Sequence, residues 1–519
     1  MLWFMIVFCL RFPTYFMLDI NVDESVYLVM GQKMLHGELP YVNVFDTTSP
    51  GIFLIFAAGL AIFRDPTIAI RTLACIAVAA ECVALVRLVG MSLGERRRIV
   101  PEAVAAGLYA IGTLGWGGTA GNREIFFIPF VSWAVVATFR LGQQQAATPL
   151  DTFLRYLGPG LLLGCAFFIK QLVLFEILGL ALLAFFQQVE RAQSLRLQSF
   201  ACGLAAGSAV LAGSQAVMLL AIAFYAHCGQ LHAFLSANFR SHLTYVSAGF
   251  PVVLLLKSFW LQLRSNPVPC IIALVAFICL FVPDRRRPIR VGSPMILAFF
   301  WLVCALCGIC STGKFFNHYF LQALPVVCWI AALLHQRLFE RETSGRLSPV
   351  ANAALWLALS FVSVGLPFWN AGMQQIFQTL HDRPIAFGAI DKVLADYLRS
   401  RMRPTDSLFI VEGHLPVYYL TSANMASRYI FQPVLTHSWF AEVVGIDNRK
   451  EMEAVFDRKP DYVLFDRVLL ELLEPKPSHA YWEVRDPVVF ELIRQRLDRD
   501  YLLETTIDEV EIYRLRSPQ

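Results

Sequence analysis

DINVDESVYLVMGQKMLHGELPYVNVFDTTSP, residues 19–50, is a polar break between apolar runs, and it decides how the rest of the chain is read. Residues 1–18 lack a basic leader and a small-x-small cleavage site. They therefore read as an uncleaved first span rather than a signal peptide. The break opens on Asp23-Glu24. Ionisable groups at a bilayer edge are costly to keep there, which makes this pair a candidate for function.

Outward from the break, the composition is that of a membrane protein. Of 519 residues, 57% are hydrophobic and only 16% charged, with a mean hydropathy of +0.57. A soluble domain carries roughly 25% charged residues. The net charge of +4 gives no reason to expect a nucleic-acid partner. Cys75, Cys82, Cys165, Cys202, Cys270, Cys279, Cys304, Cys307, Cys310 and Cys328 lie in apolar runs, and the twelve cysteines build no disulfide framework. Cys304, Cys307 and Cys310 share a helix face without the polar turn of a zinc knuckle, so they read as small packing residues.

Apolar runs long enough to cross a bilayer, or nearly so, recur to about residue 368. The clear ones are 1–18, 68–91, 101–116, 124–142, 156–169, 171–186, 199–226, 267–283, 292–310, 319–334 and 350–368. Two more, 51–63 and 251–264, are short or broken. The expected fold is a polytopic α-helical membrane protein with about eleven to thirteen spans. Arg96-Arg97-Arg98, Arg191 with Arg196, Arg285-Arg286-Arg287 with Arg290, and Arg337 with Arg341 and Arg346 mark the cytoplasmic side. Satisfying all of them favours eleven spans, with 51–63 and 251–264 re-entrant or interfacial. Either odd count puts the C-terminal region outside.

On that topology one face collects Asp23, Glu24, Asp46, Asn122, Arg123, Glu124, Lys170, His242, Lys314, Asn317 and His318. This asymmetry points to an extracytoplasmic active site. From about residue 370 the chain turns charged. Short β-like runs at Ser407–Val411, Tyr462–Phe465 and Val510–Leu515 alternate with helical stretches at Phe387–Arg401 and Pro487–Arg499. The expectation is a transmembrane module over 1–369, including the loop 19–50, and a small soluble α/β domain over 370–519.

Each candidate residue has a plainer role beside the functional one. Asp23 and Glu24 suit a general base at the membrane surface, and they equally suit a helix start as capping acids. Asp46 orients an acceptor or is a solvated loop acid. Glu124 is favourable charge at a helix N-terminus, and Arg123 beside it is a phosphate ligand candidate. Lys170 splits two apolar runs, either as a snorkelling helix end or as a phosphate ligand. Lys314, Asn317, His318 and Tyr319 cluster at the mouth of a helix, where an anion site is plausible chemistry.

The run DESVYLVMGQKMLHGELPYVNVFDTTSPG resembles the first extracytoplasmic loop of bacterial GT-C glycosyltransferases related to protein O-mannosyltransferases and lipid A aminoarabinose transferases. Asp23, Glu24, Tyr27, Gly37, Pro40 and Tyr41 carry the match. GNREIFFIPF is similar to the family's second acidic segment, with Glu124 in the matching place. CAFFIKQLVLF resembles its paired short helices around a lysine, and GKFFNHYFLQALP its His-Tyr segment. SLFIVEGHLPVYYLTSANMASRYIF is similar to the soluble tail of many members. Thr48-Ser49-Pro50 departs from the pattern, since lysine and paired prolines are common there.

The resemblance implies an inverting enzyme that moves a sugar from a polyprenyl-phosphate donor to a glycan, lipid or protein acceptor. Its site would lie on the outer face of the bacterial inner membrane. Asp23 would take the acceptor proton, with Glu24 orienting the loop or a nearby cation. Tyr27, Asp46, Arg123, Glu124, Lys170, Lys314, His318 and Tyr319 would line the substrate site. Lys170, Lys314 and His318 would neutralise the leaving phosphate. No metal site is assigned, and a divalent cation is left open. The chain has no Rossmann glycine fingerprint or P-loop, which agrees with a lipid-linked donor. A flippase of lipid-linked glycans and a non-enzymatic assembly protein are the rival readings. The first predicts inverted repeats, which the sequence lacks, and the second predicts no need for Asp23.

Overall fold

The computed structural model describes the chain except for residues 18–20, 94–98, 145–147, 192–195, 247–251, 282–293, 340–347, 381–388, 472, 474–483 and 517–519. Arg96, Arg97, Arg98, Arg285, Arg286, Arg287, Arg290, Arg341 and Arg346, on which the topology argument leaned, lie outside the described residues.

The protein is mostly helical, because a chain in hydrocarbon must satisfy its backbone hydrogen bonds internally. Eight helices among the described residues are long and apolar enough to cross a membrane. Val252–Ser265 and Pro267–Ile278 make a ninth if they count as one span, although they are bent by 111°. Leu2–Phe16, Gly51–Ile62 and Ile99–Gly112 are shorter apolar helices. Residues 252–264 of the run that looked broken in sequence are thus one arm of the bent pair, and residue 251 lies outside the described residues. Asn266 sits fully buried at the bend, its Nδ2 donating to Gly112 O at 3.1 Å. Pro267 follows it, and a proline disfavours helical backbone at the residue before it.

Helix starts follow local chemistry. Thr148 caps Pro149–Ile169, its hydroxyl accepting from Asp151 N. Ser348 caps Pro349–Ser360 in the same way. Both helices carry proline at the first position, where no amide is needed. Cys304 packs as a small residue: a Cβ on Gly179 would lie 2.5 Å from its sulfur.

The chain forms two compact units that do not follow chain order. The first comprises Met1–Tyr15, Ile70–Ala223 and Gly249–Gln374. The second comprises Phe16–Ala69, Phe224–Ala248 and Gln375–Gln519. The loop that opened the sequence reading therefore belongs with the C-terminal residues.

The second unit contains a five-stranded sheet: β1 Ser407–Ile410, β2 Asn424–Met425, β3 Tyr462–Asp466, β4 Tyr501–Ile507 and β5 Val510–Leu515. The order is β2-β1-β3-β5-β4. β1 runs parallel to β2 and β3, and the β5 pairings are antiparallel. Helices Ala389–Arg399 and Pro487–Asp500 appear where the sequence suggested them. Residues 387 and 388, at the start of the first expected stretch, lie outside the described residues.

The loop joins this domain through backbone. Phe45 N donates to Arg428 O at 2.7 Å, and Ile430 N donates to Phe45 O at 3.2 Å. The Phe45 and Tyr429 rings meet edge to face, 5.4 Å apart.

Candidate active site

In the first unit, three segments converge on one buried carboxylate. Glu124 lies in the first turn of Arg123–Leu141, at 1% exposure. Lys170 is the break between Pro149–Ile169 and the short turn Gln171–Val173. Its Nζ donates to Glu124 Oε1, and its exposure is 3%. The same Nζ sits 3.7 Å from the centre of the Tyr319 ring, a cation-π contact. Lys170 is therefore a buried, paired ammonium and not a snorkelling helix end. Arg123 and His318 lie within electrostatic reach of the same carboxylate.

The turns around this cluster hold it in place. Gly117 adopts φ +69, and a Cβ there would come within 3.5 Å of the His318 Cβ. Asn122 Nδ2 donates to Gly117 O at 2.8 Å, just ahead of Arg123. Gly308 allows Pro294–Ser311 to approach the Lys170 turn, since a Cβ would lie 2.7 Å from Leu172 O. Gln262, near the bend of the Val252 pair, donates through Nε2 to Asn317 Oδ1 at 2.7 Å, beside His318.

His318 stacks on Phe316 at 5.8 Å and meets Tyr319 edge to face at 4.9 Å. Lys314 lies in the turn before this segment, 3% exposed, and burial pulls its ammonium down to about 8. Phe315 next to it has φ +53, a left-handed backbone that costs a side-chain-bearing residue about 1–3 kcal/mol. Such strain is often stored at functional sites.

The second unit holds the other expected residues. Helix Val22–Leu35 is capped by Asn21, whose Oδ1 accepts from Glu24 N at 3.0 Å. The capping role weighed for Asp23 and Glu24 thus belongs to Asn21. Asp23 is partly exposed, and Glu24 is 1% exposed. Tyr27 is buried against Phe53 and Phe56, with ring centroids 6.1 and 5.6 Å away. Asp46 is 6% exposed and accepts from Thr48 N at 2.7 Å, which makes a turn rather than a solvated acid. Tyr41 Oη closes that turn on Thr48 O at 2.7 Å.

Several polar residues went unnoticed in the sequence. Arg11 is 1% exposed inside the first unit. It donates to Gly118 O at 2.7 Å and Thr119 O at 3.2 Å, holding the turn that precedes Arg123. The signal was a lone arginine in an apolar run. Glu176 and Gln322 form a second buried pair, Nε2 donating to Oε1. Glu176 also lines a narrow apolar cleft with Val131, Leu163, Leu180, Trp301 and Trp329. In the second unit, His414 Nδ1 meets Asp391 at 2.6 Å, and its Nε2 lies 3.6 Å from Asp466. Burial opposes its charge, but these carboxylates raise the imidazole to about 9. Among the described residues no group of three or more His, Cys, Asp or Glu could hold a metal ion.

Comparison with known proteins adds to this geometry. The family model for dolichyl-phosphate-mannose-protein mannosyltransferase matches residues 47–212, a segment that contains Arg123, Glu124 and Lys170. No curated protein sequence matches the chain. Among solved structures, ArnT from Cupriavidus metallidurans bound to undecaprenyl phosphate aligns at 11% identity and TM-score 0.61, covering 100% of this chain and 99% of that one. ArnT in the apo state aligns at 13% identity and TM-score 0.55, over 99% and 98%. Archaeal oligosaccharyltransferase AglB from Archaeoglobus fulgidus, in complex with an inhibitory peptide and a dolichol-phosphate, aligns at 11% identity and TM-score 0.50, over 87% and 66%. At these identities the structural likeness speaks to fold.

Proposed function

We propose that this chain, whose fold is similar to that of ArnT, is a glycosyltransferase that moves a sugar from a polyprenyl-phosphate carrier to an acceptor at the outer face of the bacterial inner membrane. The acceptor hydroxyl or amine attacks the anomeric carbon, and the bond from that carbon to the phosphate oxygen breaks. The proton passes to Asp23, and the polyprenyl phosphate leaves. A single displacement of this kind inverts the anomeric centre.

The observation that carries the reading is the buried Lys170 ammonium, fixed between the Glu124 carboxylate and the Tyr319 ring. Glu124 offsets its charge in the resting protein, while Arg123 and His318 add positive potential around the same point. A preorganised cation stabilises charge that develops on a leaving phosphate without reorganising during the reaction. Lys314 supplies further charge from the neighbouring turn. Asp46 and Glu24 shape the loop that presents Asp23.

The apolar cleft suits the carrier's isoprenoid tail. Glu176, in the first turn of the helix Leu174–Arg191 that follows the Lys170 break, lies on its lining. Relatives of this fold bound to undecaprenyl phosphate or dolichol-phosphate support a lipid-linked donor.

The test is a transfer assay on the purified chain in nanodiscs with a panel of polyprenyl-phosphate sugars. The expected result is release of free polyprenyl phosphate together with an acceptor glycoside of inverted configuration. Retention of configuration, or no release from any donor, would overturn the proposal.

A further inference from the structure

Within the second unit, residues from the first loop and from the β2 region enclose an open polar cleft of about 230 Å³. Lys33, Glu38 and Asn43 form one wall, and Asn424, Ser427 and Arg428 form the other. The backbone bond between Phe45 and Arg428 ties the two walls at their base. We infer that this cleft is a subsite for an acidic sugar of the acceptor.

The charge arithmetic selects an anion. Lys33 and Glu38 pair at 3.0 Å and cancel, leaving Arg428 as the net charge of the lining. Arg428 is exposed yet fixed. Its guanidinium carbon lies 4.9 Å from the Tyr429 ring and 5.6 Å from the Phe45 ring, and its Nη2 donates to Tyr429 Oη at 2.9 Å. A planar fork held in this way meets a carboxylate with two bonds and loses little entropy on binding.

The rest of the lining selects hydroxyls. Asn43 spends its Oδ1 on Leu39 N at 2.9 Å, which turns its amide as a donor. Asn424 spends its Nδ2 on Pro404 O at 3.2 Å, which turns its carbonyl as an acceptor. Only Val44 and Met425 give the cleft an apolar surface, so a lipid chain has no seat there. Polar groups of both senses around one pinned cation match a polyhydroxylated ring bearing a carboxylate. Naming the ligand as acceptor rests on the proposed transfer reaction, whereas the binding itself does not.

The experiment titrates the purified full chain in nanodiscs by saturation-transfer NMR. The probes are a galacturonate trisaccharide, its neutral methyl ester and inorganic phosphate. The acid should bind at least about tenfold more tightly than the ester. Arg428→Gln should erase that difference, and Arg428→Lys should recover part of it, because charge is kept and the fork is lost. Equal binding of acid and ester, a difference that survives Arg428→Gln, or phosphate binding as tightly as the trisaccharide would each overturn the proposal. Discrimination without sugar transfer from any polyprenyl-phosphate donor keeps the cleft and discards the transferase reading. Transfer without discrimination does the reverse.

Discussion

The two units place their functional candidates by different physics. In the first, Glu124 and Lys170 come from separate helices and hold each other by opposite charge, both at 3% exposure or less. In the second, the loop around Asp23 and Asp46 is set by backbone amides and turns: the Asn21 cap, the Asp46 turn and the Phe45 bridge to Arg428. A charge-built site is tied to the stability of its unit, because an orphaned buried charge is expensive. A turn-built site keeps its shape through backbone amides rather than through the charge of its partly exposed acid.

That contrast breaks most visibly under substitution. Glu124→Ala removes the carboxylate that the buried Lys170 ammonium is paired with, and losing one partner of a buried pair costs about 3–5 kcal/mol. The variant should melt well below the parent, and an unchanged melting temperature would remove the pair from the account. Asp23→Asn should do the opposite. Transfer should fall by about 10²–10⁴-fold, the usual worth of a general base, with the thermal midpoint unmoved. Full activity in that variant would end the role of Asp23 as base.

A smaller effect is expected at His414 in the second unit. Its folded value, about 9, lies above the ordinary 6.5, so its stabilisation is complete below pH 6.5 and disappears as pH rises through about 9. The contribution is on the order of 3 kcal/mol. His414→Gln should flatten the fall in melting temperature between those values, and a profile as steep as the parent's would assign it elsewhere.

The smallest effect should come from Lys314, whose charge is lost near pH 8. Donor KM should rise a few-fold as pH passes that value, and Lys314→Arg should hold it level. A flat KM profile in the parent would remove Lys314 from phosphate binding.

The sequence made the first unit's site legible because charge is rare in apolar runs. Glu124 and Lys170 stood out for that reason, and so did the helix break at Lys170. Arg11 obeyed the same rule and was overlooked because it sits within a run that otherwise reads as a plain span. The pairing of Lys170 with Glu124 was hidden, since 46 residues separate them and helix packing alone brings them together. In the second unit, β1, β3 and β5 were visible as apolar runs. β4 was missed because Leu502, Leu503 and Thr506 are exposed along it, so no buried alternation shows, and the two-residue β2 is too short to carry a pattern. The cap was misassigned to Asp23 because Asn21, two residues earlier, is an equally good cap type. The association of the loop with the C-terminal residues had no local signal, because it rests on backbone bonds across nearly 400 residues of chain.

The central claim is that the charge-built cluster holds the donor's phosphate while the turn-built loop supplies the base. Equilibrium binding of polyprenyl phosphate to three purified proteins tests it most directly: the parent, Asp23→Asn, and the charge-neutral double variant Lys170→Met with Glu124→Gln, which leaves no orphaned charge. The account predicts parent-like affinity for Asp23→Asn and at least about tenfold weaker binding for the double variant. Parent-like affinity in the double variant, with weakened binding in Asp23→Asn, would contradict it.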